Sequence, residues 1–198
     1  MVATNFKSTE QCNKAAKKAM LVLGLIKRNF RNLDSQSLKT LYCSFVRPHM
    51  EHCVQAWSPY LKKDVKTLER VQRRASKLVP ALRNFSYEDR LKKIDILPLE
   101  QRRFRGDLIE TYKILHGMEN IDKEIFFESA KLTKLRGHSL KLFKKRSRLA
   151  VRKNFFSQRV IDCWNTLPNN IVEAPSLGTF KTRLDEHWRW KTWRILWA

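Results

Sequence analysis

Apolar residues recur at steps of three and four over most of the chain, which is the spacing of helices with one buried face. The segment 67–82, TLERVQRRASKLVPAL, combines this pattern with a strong positive charge. Its apolar positions are Leu68, Val71, Ala75, Leu78 and Val79. Its cations are Arg70, Arg73, Arg74 and Lys77, and Glu69 is the one acid among them. The segment therefore predicts a helix with a buried apolar face and a basic outer face.

The same spacing predicts further helices, so that the full set lies at about 8–29, 35–47, 62–82, 87–94, 99–116, 155–167 and 177–188. Side chains suited to capping helix N-termini precede several of them: Ser8 (with Gln11 in the capping-box position), Asp34 or Ser35, Ser86 and Ser176. We expect Pro48 to end or kink the second helix near Arg47, and Gly117 to end the fifth.

The segment 129–161 differs from the rest of the chain, because it holds eleven Lys or Arg residues and no Asp or Glu. Within it, HSLKLFKKRSRLAV places apolar residues in alternation at Leu140 and Leu142, and again at Leu149 and Val151. Alternation of this kind indicates two short strands around a basic turn.

The predicted fold is mainly α, a small helical bundle followed by further helices, with a short β-hairpin as an option in the basic segment. We divide the chain into a three-helix bundle at 1–84, a helical connector at 85–128 and a basic C-terminal subdomain at 129–189. A Trp-rich tail at 190–198 carries Trp190, Trp193 and Trp197.

The net charge narrows the choice of partner. The chain has 41 Lys or Arg against 19 Asp or Glu among 198 residues, a formal charge of +22. A folded body this positive repels itself, and a polyanionic partner is the usual reason for tolerating that. Nucleic acid is the first candidate partner, and an anionic membrane surface is the second.

The apolar runs and the cysteines indicate where in the cell the protein is expected. No apolar run reaches the roughly 20 residues that span a bilayer, and the four cysteines show no disulfide-framework spacing. We therefore expect reduced thiols in a nuclear or cytoplasmic protein that is not secreted. The run KKRSR at 144–148 fits a nuclear import signal, and a merely basic surface explains it equally well.

Motifs for catalysis are missing from the sequence. The eight aspartates are well separated, without the paired carboxylates that hold two metal ions, and no phosphate-binding glycine loop occurs. His49, His52 and Cys53, with Cys43 ten residues before Cys53, form the one cluster with any likeness to a zinc site. A partly buried Cys beside histidines at a helix kink is the better interpretation. We expect no cofactor and no small-molecule substrate.

Basic clusters have a plainer interpretation as solvated helix faces, which normally mix charges of both signs. The acid-free segment fits it less well, and aromatic residues stand within it at Phe143, Phe155 and Phe156. Cations that follow phosphates beside aromatics that stack on bases are typical of single-strand binding. For Phe155 and Phe156, burial in a core is the interpretation that we favour.

Several long motifs are familiar, among them VRPHMEHCVQAWSPY and NFFSQRVIDCWNTLP. Over about 5–188, the chain resembles the C-terminal part of reverse transcriptases of non-LTR retrotransposons, the CR1/jockey-like group. The resemblance implies that the first three helices are a thumb that clamps a template–primer duplex. The aromatic-x-Asp-Asp motif of the palm and the endonuclease have no counterpart here, so the resemblance implies a fragment that is not an enzyme on its own. Mg²⁺ would belong to the missing palm. We expect a truncated element copy or a gene model started at an internal Met.

The resemblance and the charge together predict a surface that grips an RNA or DNA template–primer backbone with little sequence preference. The predicted contact residues are Lys14, Lys17, Lys18, Arg70, Arg73, Arg74, Lys77, Arg102, Arg103, Arg105, Lys141, Lys144, Lys145, Arg146, Arg148, Arg152 and Lys153. Three of them, at 102, 103 and 105, fall near a helix N-terminus, where positive charge is unfavourable, so we expect compensation from outside that helix. The oligomeric state stays open. The alternative is a host-retained or inert remnant that acts through protein–protein contacts.

Overall fold

The computed structural model describes residues 8–130 and 137–188, and over these ranges the chain is mainly α-helical, as predicted. The chain divides into two compact units, Met1–Arg103 and Phe104–Ala198. The predicted boundary at 84 differs from this division, because Leu82, Ile94 and Leu99 belong to the same buried core. The Trp-rich tail at 190–198 lies outside the described residues.

The first unit is built from helices of very different lengths. They are α1 (Thr9–Asn29), α2 (Ser35–Leu41), a π-helical turn (Tyr42–Val46), α3 (Pro48–Glu51), α4 (Val54–Trp57), α5 (Lys62–Ser76), a 3₁₀ turn (Pro80–Leu82) and α6 (Tyr87–Ile94). A further helix, α7 (Leu99–Leu115), begins in the first unit and continues into the second.

The packing of α1 along α5 forms the centre of the first unit. Three alanines on α1, including Ala15 and Ala19, are buried, and small side chains let the two helix backbones approach closely. They share one apolar core with Leu68, Val71 and Ala75 of α5, as the helical spacing predicts.

Most of the predicted helix N-caps are confirmed. The side chain of Asp34 accepts a hydrogen bond from the Ser37 amide, and Ser86 accepts one from the Asp89 amide. Ser176 caps the last described helix, Leu177–Trp188, in the same way, through the Thr179 amide. The prediction for Ser8 is wrong, because its side chain makes no capping hydrogen bond although it occupies the N-cap position.

Prolines and a glycine set the ends of other helices. Pro48 starts α3 directly after the π-helical turn, which confirms the predicted break near Arg47. The α5 helix ends at Ser76, short of the predicted 82, because Val79 precedes Pro80 and takes the extended backbone that proline favours before it. Gly117, with φ +66°, follows α7 as expected.

The second unit contains shorter helices after α7. They are α8 (Lys123–Phe126), α9 (Ala150–Lys153), α10 (Phe156–Arg159), α11 (Ile161–Thr166), α12 (Asn169–Val172) and α13 (Leu177–Trp188). Trp164 and Phe180 lie fully buried in its core, near Tyr112 of α7. The indole nitrogen of Trp164 donates to the Leu140 carbonyl at 2.8 Å, so side chains tie the irregular segments to the helices.

The predicted β-hairpin is not formed. Among the described residues, β pairing is limited to one isolated antiparallel bridge between Ser129 and Leu142. The Asn165 side chain binds both the amide and the carbonyl of Leu142, at 2.9 and 2.8 Å, and so occupies groups that a second strand would have paired. Leu149 and Val151 are exposed instead of facing a core.

Of the two phenylalanines expected in a core, Phe156 is buried as predicted, whereas Phe155 is exposed. Val160, Cys163 and Trp164 are buried as well. Along 8–130 and 137–188, no helix has the length and apolar character that crossing a bilayer requires.

Candidate nucleic-acid interface

The outer face of α5 and the residue after it present a cluster of four cations. Arg70, Arg73, Arg74 and Lys77 are all exposed, while Leu68, Val71 and Ala75 fill the core behind them. Residues four apart on a helix lie about 5–6 Å apart at Cβ, so Arg70 and Arg74 form one row on this face, which we call the α5 face.

The cations of the α5 face are not neutralised by nearby acids. Within the part of the chain that the structure describes, no Asp or Glu forms an ion pair with Arg70, Arg74 or Lys77. These three side chains are therefore available to an external anion.

Arg73 differs from its neighbours because Tyr87 lies beneath it. The Arg73 guanidinium stands over the Tyr87 ring, 4.2 Å from its centroid. The Tyr87 hydroxyl donates to the carboxylate of Glu69, and burial raises the pKa of Glu69. The one acid of the segment is thus engaged by Tyr87 and does not neutralise Arg70 or Arg74.

A second basic surface in the first unit lies on α1. Lys14, Lys17 and Lys18 are exposed and line an open groove of about 610 Å³. Lys14 pairs with Glu10 at 2.6 Å, and because the pair is exposed it contributes little to the stability of the fold. The groove is completed by Leu21, His49, His52 and Trp57, among others. The sequence did not indicate these partners, because no local spacing links residues 30 positions apart.

The three predicted contacts on α7 are bound by the protein itself. The Arg102 guanidinium lies 3.2 Å from the Glu51 carboxylate. Arg103 is only 4% exposed, donates to the Met50 carbonyl and stands 4.1 Å over the Trp57 ring. Arg105 forms a bidentate pair with Asp185, at 2.5 and 2.7 Å.

The expected compensation for these three arginines is therefore confirmed. Acids and a carbonyl distant in sequence supply it, and a nucleic acid is not needed to explain their charge.

The basic segment of the second unit divides into bound and free cations. Lys141 donates to the Asn165 carbonyl, Lys144 pairs with Asp162, and Lys145 lies 3.1 Å from Glu128. Lys141 therefore helps to hold its segment against α11. The exposed cations without an ion pair to any described acid are Arg146, Arg148, Arg152 and Lys153.

The cysteine–histidine cluster has no arrangement suited to a metal ion. In the described ranges, no group of three or more His, Cys, Asp and Glu side chains comes close enough to hold one. Cys53 has a left-handed backbone with φ 51°, which breaks the helix between His49 and Cys53 and separates their faces. Cys53 is exposed, not partly buried as expected, with Sγ 3.1 Å from the His52 ring.

Comparison with protein-family models, with curated proteins and with solved structures finds no match for this chain.

Proposed function

We propose that this chain binds nucleic acid through basic helix surfaces and holds the sugar–phosphate backbone with little sequence preference. The observation that carries the proposal is the α5 face, where Arg70, Arg74 and Lys77 stand exposed and unpaired at regular spacing. The lysines of the α1 groove add a second surface of the same charge in the same unit.

Electrostatics explains why this arrangement favours a polyanion. Each phosphate that a cation neutralises releases a condensed counterion, so a row of fixed cations gains affinity from each contact and reads no base. Arginines on a regular helix hold their spacing without a ligand, so little ordering is needed on binding. The net charge of +22 then contributes to binding the partner and not to the stability of the fold.

We further infer that the chain is the thumb and post-thumb part of a retrotransposon RNA-directed DNA polymerase. Support comes from the long motifs that resemble that family and from a helical first unit with a basic face. In this proposal the polymerase carboxylates and their Mg²⁺ belong to the palm, the chain is not an enzyme by itself, and its RNA or DNA partner places it in the nucleus or cytoplasm.

Charge reversal of the α5 face tests the proposal. The variant R70E/R74E/K77E keeps Arg73, because Arg73 stacks on Tyr87 and its loss would disturb the fold. We expect this variant to bind a fluorescent duplex of about 20 base pairs at least ~10-fold more weakly than the wild type at low salt, measured by anisotropy.

A matched control separates placement from net charge. R28E/K92E/K123E changes the charge by the same amount at three exposed positions on other helices. We expect this control to keep most of its affinity. Equal losses in the two variants would show that only the total charge matters and would overturn the assignment of the α5 face.

Binding of a protein partner is the second candidate function, and exposed leucines favour it. Leu21 and Leu25 lie one turn apart on α1 and are 62% and 50% exposed. If the wild-type chain ignores duplex DNA, single strands and RNA at low ionic strength, the proposed function fails. Loss of a self-association with L21E/L25E, measured by sedimentation, would then support protein contacts.

A further inference from the structure

Residues 143–155 of the second unit display apolar and basic side chains together. Phe143 is 50% exposed and Phe155 is 41% exposed, although aromatic residues usually contribute their area to a core. Leu149 and Val151 between them are exposed as well.

This segment is fastened at both ends. Leu142 is buried and bound by the Asn165 side chain, and the Phe143 amide donates to the Glu128 carbonyl at 2.7 Å. At the other end Phe156 is buried, 5.6 Å from Phe127 between ring centroids. The two exposed rings therefore lie directly beside anchored residues, so their positions are defined by the fold.

Four cations without an ion pair lie in the same segment as the two rings. Arg146, Arg148, Arg152 and Lys153 are exposed and pair with no acid in the described ranges. The Arg152 guanidinium lies 5.8 Å from the centroid of the Phe155 ring. Residues 143–148 form neither helix nor strand, and the four cations are distributed along the chain from 146 to 153.

We propose that residues 143–155 form a site for unpaired nucleic acid, in which Phe143 and Phe155 stack on bases while the four free cations bind phosphates. This inference rests on the proposed function in taking the partner to be a nucleic acid. It adds a preference for single strands over duplexes, which the α5 face lacks. The bases of a duplex are already stacked on one another and offer no open face to a ring.

A membrane surface fits the same residues less well. Interfacial segments bury one face of an amphipathic helix, and α9, the one helix in this stretch, is only four residues long. The apolar side chains stand on both sides of the cations in sequence and do not gather on one helix face.

The test compares a fluorescent oligo(dT) of about 20 nucleotides with a duplex of the same length, using the full chain. We expect F143A/F155A to weaken single-strand binding by roughly tenfold or more, since stacking on an aromatic side chain contributes strongly per base. Duplex affinity should stay within about twofold of the wild type. F143Y/F155Y keeps both rings and should keep the single-strand affinity.

The control variant L149A/V151A removes exposed apolar groups from the same segment without removing a ring. We expect it to bind oligo(dT) like the wild type. Both phenylalanines are exposed, so circular dichroism should show an unchanged helix content in every variant.

Each other outcome is informative. If the wild type binds neither probe, the proposed function fails and this inference fails with it. If duplex and oligo(dT) both bind but F143A/F155A leaves oligo(dT) affinity unchanged, this inference alone is overturned. Loss of binding to phosphatidylserine vesicles by F143A/F155A, with oligo(dT) binding intact, would assign the segment to a membrane.

Discussion

In the first unit, the cations of the α5 face stand on the outside of a regular helix, and three of them pair with no acid in the described part of the chain. In the second unit, many cations bind the protein itself: Arg105 binds Asp185, Lys141 binds a carbonyl and Lys144 binds Asp162. The difference shows that a high count of Lys and Arg does not by itself mark a binding surface. A cation is available only where the fold supplies it with no anion of its own.

The largest effect that follows from this contrast concerns Arg159. Its guanidinium makes two hydrogen bonds of 2.8 Å to Asp107, and both side chains are nearly inaccessible to solvent. R159A leaves a buried carboxylate without its main counter-charge and should cost about 3–5 kcal/mol of unfolding free energy. R74A removes an exposed arginine in the first unit and should change the unfolding free energy by less than about 0.5 kcal/mol.

Urea unfolding followed by tryptophan fluorescence measures both variants. Similar small losses for R159A and R74A would contradict the distinction between cations bound by the fold and cations displayed to solvent.

A smaller effect concerns the two helix starts of the first unit. S86A removes the hydroxyl that accepts a hydrogen bond from the Asp89 amide, and it should lower the free energy of unfolding by about 1 kcal/mol. S8A removes a hydroxyl that caps nothing and should stay within about 0.5 kcal/mol of the wild type. Thermal unfolding by circular dichroism compares the two, and equal shifts in Tm would show that Ser8 acts as a cap in solution.

We expect a still smaller change from His138 in the second unit. Burial lowers the pKa of His138, whose Nε2 lies 3.0 Å from the Trp164 carbonyl. The folded state therefore holds the neutral imidazole, and the unfolded chain takes up a proton first as the pH falls. Its contribution to stability is complete above the ordinary histidine value, about pH 6.5, and decreases as the pH falls toward the lowered pKa of the folded state.

The H138Q variant has no titrating group at this position. When the pH falls from about 7.5 to about 5, the Tm of the wild type should therefore decrease relative to the Tm of H138Q. H49Q, at an exposed position of the first unit, serves as the control. An unchanged Tm difference across this range would show that His138 does not titrate with unfolding.

Local sequence patterns predicted the long helices well, because the information that forms them is local. The spacing of apolar residues gave α1 and α7 nearly at their observed bounds, the caps Ser86 and Ser176 did the same for α6 and α13, and Asp34 marked the start of α2. The same spacing overran α5, since apolar periodicity continues past Ser76 while Pro80 imposes an extended backbone on Val79.

Contacts between distant residues are what the sequence did not indicate. Nothing near Arg103 in sequence indicates Met50 and Trp57, and nothing near Arg105 indicates Asp185, 80 positions away. The hairpin prediction failed for the same reason, because the Asn165 side chain takes the backbone groups of Leu142. The α5 face was predicted correctly as an exposed surface, since exposure on an amphipathic helix follows from its own period.

The salt dependence of duplex affinity tests the central claim most directly. If Arg70, Arg74 and Lys77 each neutralise one phosphate, the slope of log K against log salt should be less steep by about 3 in R70E/R74E/K77E than in the wild type. The control R28E/K92E/K123E should keep nearly the wild-type slope. A wild-type slope near zero, or the same slope in all three proteins, would contradict the claim that these cations lie along a phosphate backbone.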